Sequence, residues 1–577
     1  MPSKPKNKTV KKKKLSAVEK IQRKQELDHA KLIRGIFTGS GFQRCANAAN
    51  KNFQFSSVKT DFDDVFVYEN LVILLEYTTS SRANVGDHLK GKSEKYNIIL
   101  DNKDDFIDFL MTKSSDFSSA LENYDPEQAT IKIVYCSLNG VDISHKSLIN
   151  KLTYLDYPVA RYFRNVVDGV KVSARAELLD FLQIKQETIG KAGAFSNVQS
   201  HGTYKGQHLP KSGSSLPKGF QVLSFYIDPE SLLQRAYVFR KDGWRSSKSV
   251  YQRLISKSKI EEIRRYLRVE GRVFLNNIVA TLPSDTEYKI IEPKDKDIEP
   301  NTEHAASPAQ IKIPSRVNSI GLIDGQHRTY SYYEDINDDP AISSLRGKQN
   351  LLVTGIVFPE TITDKDREKF EATLFKEINS KQTNVKSDLI QAIELVLDPF
   401  SDGSIATRVL EELNASNGPL ENKVEQYFFD KDKVKKASVI SYALKYLVRP
   451  TESGTLFEKF LDDEKDSISS RANLEVLDRY VEFCRDEING FLSGVRCVLP
   501  NENWTTERAI KGRMLTTFKL NTMLILMRKM VASNHPTDFQ NVKASLSGLK
   551  VTDFEKYNAS KYNMMAQEIY VQYFGDS

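Results

Sequence analysis

Asp61–Thr78, DFDDVFVYENLVILLEYT, holds two β-rich runs, Asp64–Tyr68 and Leu71–Thr78, on either side of Glu69-Asn70. Val, Ile, Leu, Phe and Tyr dominate both runs, and the pair between them suits a tight turn, so the stretch predicts a β-hairpin. Centring the turn on Glu69-Asn70 sets Asp63 opposite Glu76, at a cross-strand separation of about 5 Å. Two carboxylates then share a site. Such a pair can hold Mg²⁺, which keeps several waters, bridges a scissile phosphate and activates water. The bland alternative is that Asp61, Asp63 and Asp64 cap a solvent-facing hairpin and Glu76 is a rim residue.

Toward the N-terminus, Val18, Ile21, Leu27, Leu32, Ile33 and Ile36 recur at spacings near three and four. They mark an amphipathic helix from Leu15 to Phe37, stopped by Gly39-Ser40-Gly41. Toward the C-terminus a strand at Ile131–Tyr135 lies between expected helices at 103–113 and 144–152. The alternation predicts an α/β domain ending near Ile184.

This order (helix, Asp, hairpin, Glu on an apolar strand, helix) resembles the PD-(D/E)XK nuclease core, and implies a restriction-endonuclease-like α/β domain over residues 15–185. Asp63 matches the family's first acid and Glu76 its second. Thr78 stands where the family's lysine sits, a departure that bears on activity because that lysine positions and polarises the attacking water. Lys90 or Lys92, in the segment Asp87–Lys92, is the replacement from a neighbouring helix, and Glu19 or Glu26 the completion of the metal shell. The resemblance thus implies Asp63, Glu76, Lys90 and Lys92 as catalytic residues, with Asp63 and Glu76 as Mg²⁺ ligands.

Residues 186–217, rich in Gly, Ser, Lys and Gln, read as an exposed linker. Strands are expected at Phe220–Ile227, Asn277–Leu282, Val317–Ile323 and Leu351–Phe358, helices at Lys259–Leu267 and Asp364–Asn379, and a polar loop at 283–316. At the centre stands Ile320-Gly321-Leu322-Ile323-Asp324-Gly325-Gln326-His327-Arg328. Strand, glycine turn and helix start are the parts of an anion site: Gly325 permits close backbone approach, Arg328 and His327 add donors, and Asp324 can hold a metal or a ribose hydroxyl. A strand–glycine–helix junction is also a common structural device.

The string Asp324-Gly325-Gln326-His327-Arg328 resembles the name-giving motif of the DGQHR-domain family, which includes DndB-type proteins associated with DNA phosphorothioate modification. Phe225-Tyr226-Ile227, Tyr251-Gln252-Arg253 and the F-x-x-I-N-x-x-Q-like Phe375–Gln382 agree with it, so the likeness covers 218–395. The resemblance implies a ParB/sulfiredoxin-like α/β fold and a nucleotide pocket lined by Asp324, Gly325, Gln326, His327 and Arg328, with Asn379 and Gln382 across it. Binding, switching and hydrolysis all use such a cradle.

From 396 to 577 helical periodicity dominates, with no polar cluster that reads as a site. The fold class is therefore multidomain, two α/β domains and an all-α region. The formal net charge is +7, but residues 1–14 carry seven lysines and no acid, leaving a neutral body behind a basic tail expected to be disordered. Cys45, Cys136, Cys484 and Cys497 lack the close pairs of a structural zinc site, and His29, His145, His304 and His535 lack ligand partners. Trp244, Arg245, Lys248 and Arg253 are candidate DNA-backbone contacts. No apolar run spans a bilayer, so a cytoplasmic protein is expected.

Together these readings describe a DNA-processing protein in DNA modification or antiphage defence. A Mg²⁺-dependent endodeoxyribonuclease module is coupled to a nucleotide-binding DGQHR domain, with Mg²⁺ and a nucleoside triphosphate as cofactors. DNA, a nucleotide, further copies of the chain or partner proteins of such a system are the expected partners. The alternatives are a non-enzymatic DNA-binding regulator or scaffold with a degenerate nuclease fold, and an NTPase whose N-terminal domain only binds DNA.

Overall fold

Glu69 adopts the left-handed backbone region (φ 51°), the positive φ that tight two-residue hairpins require. In the computed structural model, which describes residues 16–149, 151–185, 188–190, 201–238, 255–291, 305–314, 318–380, 387–427, 429–450, 453–557 and 560–575, this turn organises the first sheet. In chain order the strands are β1 (Gln43–Arg44), the ribbon β2 (Phe53–Phe55) and β3 (Val58–Thr60), the hairpin β4 (Asp64–Tyr68) and β5 (Leu71–Thr78), then β6 (Thr130–Ser137) and β7 (Thr153–Asp156). The sheet order is β1-β4-β5-β6-β7. The hairpin is antiparallel, with Asp64 opposite Leu75 and Tyr68 opposite Leu71, while β5, β6 and β7 run parallel.

Parallel neighbours need a crossover, and the helices Val85–Asp101 and Lys103–Lys113 supply it between β5 and β6. Because strand side chains alternate between faces, Leu71, Ile73 and Leu75 pack with Ile33, Ile36 and Phe37 of the leading helix. Val72 and Leu74 pack on the other side with Val85, Leu89, Tyr96 and Ile99. Glu76 continues the second set, so it faces the crossover helix.

The second sheet comprises β8 (His201–Leu209), β9 (Gln221–Ile227), β10 (Ala236–Tyr237), β11 (Ile278–Leu282), β12 (Glu287–Ile290), β13 (Ser307–Pro314), β14 (Ile320–Asp324) and β15 (Leu351–Val357). Its order is β10-β14-β11-β15-β9-β8-β13-β12. Two expectations are corrected here. The stretch expected as a linker contains β8, which pairs with β9 and β13. Its glycine is an interior strand residue: a Cβ at Gly206 would lie 2.3 Å from the Ser224 carbonyl oxygen. The expected polar loop contains β12 and β13, whose polar residues occupy the outer face.

The domain borders also shift. Both sheets contribute to one continuous apolar core, and Val172 N donates to Glu334 O (3.1 Å) while Glu334 N donates to Ser173 Oγ (3.0 Å). The two expected α/β domains are thus one unit, which closes at Ile362. The second unit starts at Thr363 and not near 396, because the helices Asp364–Ser380 and Ser387–Leu397 pack on one another within it. That unit is helical among its described residues and has its own core, centred on the buried Thr517–Ala532 helix. Among the described residues no helix is long and apolar enough to cross a membrane.

Candidate active site

At the open end of the hairpin, Asp63 N donates to Leu75 O (3.0 Å), which carries the β4–β5 register one step further and sets Asp63 opposite Glu76. Asp63 is fixed from two sides: its Oδ2 accepts from Tyr77 N (2.7 Å), and its carbonyl oxygen accepts from Asn50 Nδ2 (2.8 Å). Its Oδ1 remains for a ligand. Burial pushes the Asp63 carboxyl upward against the pull of the Tyr77 N–H and of Lys92.

Glu76 is 5% exposed. Its Oε1 accepts from Lys92 Nζ at 2.5 Å, while Oε2 is buried without a hydrogen-bond partner. Burial raises the Glu76 carboxyl to about 7, with Lys92 opposing the shift. An orphaned buried carboxylate oxygen is expensive, and a site poised near neutral pH is a mark of function.

Lys92 also lies 3.6 Å from Asp61 Oδ1. It sits in the buried stripe Val85, Leu89, Tyr96 and Ile99 of its helix, so helical periodicity aims it at the sheet. A lysine in an apolar stripe was the sequence signal that separates it from Lys90, which is exposed. Lys90 is therefore not part of this cluster, and Lys92 alone reaches the carboxylates. Thr78, in the family's lysine position, is buried and pairs in the ladder with Ser137.

The leading helix adds no ligand. Glu19 belongs to a capping box with Ser16, and Glu26 accepts from Gln22 on the exposed face. His88, four residues before Lys92 and so on the same face, was missed: its Nε2 lies 3.7 Å from Glu76 Oε1, and its Nδ1 is 2.7 Å from Tyr135 Oη. Burial and Lys92 hold His88 below its ordinary range, so it is neutral at pH 7. Tyr96 brings a buried hydroxyl beside Glu76.

Asp63 and Glu76 would be the residues to hold Mg²⁺, in the mode that uses two carboxylates and several waters. No group of three or more His, Cys, Asp or Glu suited to a metal occurs among the described residues. With Glu76 protonated below about 7, a cation must displace that proton. Apparent Mn²⁺ affinity is therefore expected to fall by about tenfold per pH unit on the acid side of neutrality and to level off on the alkaline side, as calorimetric titrations across that range will read.

Asp64, next to Asp63, points the other way. It is fully buried and accepts from Arg34 Nε (2.6 Å), Arg44 Nε (2.5 Å) and Tyr77 Oη (2.7 Å). Its role is architectural.

The central turn has a different geometry from the expected cradle. Gly325 is left-handed (φ 96°), but the space it leaves is filled from within: a Cβ there would lie 2.9 Å from Ile278 Cγ1 and 3.2 Å from Arg328 Nη2. The helix after it, Gln326–Tyr330, is a single turn. Arg328 Nη2 donates to Asp324 Oδ2 at 2.7 Å, so the two groups expected to grip phosphate and metal neutralise each other. His327 Nε2 accepts from Ser256 N (3.2 Å), and Gln326 is buried. The Arg328–Asp324 pair braces the corner that follows β14, while Arg328 Nη1 is buried without a hydrogen-bond partner among the described residues.

The side chain of Asn379, and Gln382, lie outside the described residues, as do Trp244, Arg245, Lys248 and Arg253. Arg328→Ala removes a partly buried ion pair. It is expected to destabilise the chain by about 1–2 kcal/mol, which a thermal scan checks.

No family model, no curated protein and no solved structure matches this chain. The functional reading therefore rests on the geometry of Asp63, Glu76 and Lys92.

Proposed function

We propose that the chain is a metal-dependent DNA endonuclease whose active site is the open end of the β4–β5 hairpin. One observation carries the reading: Asp63 and Glu76 are paired across the hairpin with Lys92 Nζ at 2.5 Å from Glu76, a juxtaposition of two acids and a lysine produced by three separate elements. The chemistry supplied by a bound Mg²⁺ is Lewis-acid activation of a phosphodiester and of water.

The protein's own groups do the rest. Asp63 and Glu76 would hold the cation, and the Tyr77 N–H keeps Asp63 from turning away. Once Glu76 is engaged, Lys92 Nζ donates to a non-bridging phosphate oxygen or to the attacking water, stabilising charge where it develops. His88 borders this space, with its Nε2 3.7 Å from Glu76 Oε1 and its Nδ1 2.7 Å from Tyr135 Oη. The seven lysines of residues 1–14 add salt-sensitive attraction to any polyanionic substrate.

The rival, a DNA-binding protein with a spent nuclease fold, draws on the lysine occupying Glu76 and on Thr78. Supercoiled plasmid incubated with the full chain and Mg²⁺ or Mn²⁺ decides between them. Metal-dependent nicking or linearisation that Asp63→Asn abolishes supports the nuclease. DNA retention without cutting under either metal supports the rival.

A further inference from the structure

The helical unit contains a cavity of about 750 Å³, within the range of small-molecule sites, that the nuclease reading does not use. It is built where four elements meet: Ser387–Leu397, the start of Asp402–Ala415, the π-helical turn Ile440–Leu444 with Lys445–Leu447 after it, and the loop at Ser469–Arg471. π-Helical turns are rare and concentrate at functional sites because they re-aim side chains. Here the turn places Ser441 and Lys445 on the cavity wall.

Three features define what the cavity would take. The first is positive charge on the wall: Lys445 and Arg449 both line the cavity, with Lys445 Nζ and the Arg449 guanidinium 4.8 and 4.4 Å from the centre of the Tyr446 ring, which lines it too. Among the described residues Lys445 has no ion-pair partner, while Arg449 lies 3.4 Å from Asp402, which shares the wall. The amino end of the Asp402–Ala415 helix adds its dipole. An anion in the cavity would meet both charges.

The second feature is Gln391, a residue of the cavity wall that is 9% exposed and whose buried Oε1 has no hydrogen-bond partner. A buried acceptor left open calls for a donor from a ligand. The third is Glu394, a carboxylate on the same wall one helical turn from Gln391, which accepts from hydroxyls. Phe400 supplies an apolar surface beside them. An anion of several charges and no donors fits only one end of this space.

From these features the geometry points to a small-molecule site for a phosphate monoester that carries hydroxyl groups, with the phosphate at Lys445 and Arg449 and the hydroxyls at Glu394 and Gln391. Sugar phosphates and nucleoside monophosphates share that chemistry. The site lies wholly inside the helical unit and is independent of the hairpin.

Calorimetric binding to the full chain tests it, with ribose 5-phosphate, the four 5′-ribonucleoside monophosphates and inorganic phosphate as probes. At least one ester is expected to bind more tightly than inorganic phosphate, and Lys445→Ala and Gln391→Leu each to weaken it by about tenfold or more. Both variants keep the ligand-free thermal midpoint. A ribose 5-phosphate signal matching the monophosphates would assign the sugar phosphate, and a monophosphate preference the nucleotide. The proposal is overturned if no probe binds, if inorganic phosphate binds as well as the esters, or if both variants bind like the unaltered chain.

Discussion

Glu76→Gln is expected to lower metal-dependent plasmid cleavage by about 10³-fold, equivalent to about 4 kcal/mol of transition-state stabilisation, with the fold intact. The substitution keeps the shape of the side chain and an oxygen to accept from Lys92 Nζ. It removes the negative charge that a divalent cation needs and the proton whose release couples metal binding to pH. Burial already holds this group near neutrality, at about 7, so the ground state loses little.

Lys92→Met separates the two halves of the site. With the lysine gone, the force that opposes the upward shift of Glu76 is lost, and the carboxyl titrates higher still. Glu76 must be ionised to bind metal, so the cleavage profile is expected to move to more alkaline pH as well as fall in height. A merely structural lysine would lower the rate without moving the profile. Cleavage by Glu76→Gln at the unaltered rate would place the chemistry elsewhere in the chain.

The hairpin was legible because its signals are local. Turn chemistry at Glu69-Asn70 fixed the register, and a register one residue off would have turned every apolar side chain to the wrong face. The identity of the lysine was half legible. Spacing alone admits Lys90 and Lys92, whereas the stripe of Val85, Leu89, Tyr96 and Ile99 admits only Lys92.

The pairing at the central turn was not legible because Arg328 is four residues after Asp324 across a glycine corner, a spacing that lets the pair close on itself. In sequence the same two residues look like ligands. β8 was illegible for a related reason: glycine, lysine and glutamine suggest solvent, yet Gly206 is there because two neighbouring strands leave no room for a side chain. The cavity of the helical unit could not be read at all, since its polar residues come from segments between 391 and 471 that only packing brings together.

Asp64→Ala is expected to cost about 3 kcal/mol of stability and several degrees of thermal midpoint, although Asp64 sits beside a residue of the candidate site. Its carboxylate is fully buried and joins the leading helix, through Arg34, to β1, through Arg44, and to β5, through Tyr77 Oη. Removing it leaves two guanidinium groups without their shared carboxylate and a partly buried phenol without its acceptor. Both arginine side chains are 35% exposed, so water relieves part of the loss, which sets the value at the lower end of what breaking a buried pair costs.

Asp63→Asn makes the contrast. Burial already disfavours the Asp63 charge, and the amide keeps an oxygen for the Tyr77 N–H. Its stability is expected to stay within about 1 kcal/mol of the unaltered chain while cleavage is lost. Hydrogen exchange at the β4–β5 amides separates the two: Asp64→Ala should speed it and Asp63→Asn should not. Equal protection in both variants would mean that the arginine pairs do not hold the hairpin to the leading helix, and that the position of Asp63 is set by the β-ladder alone.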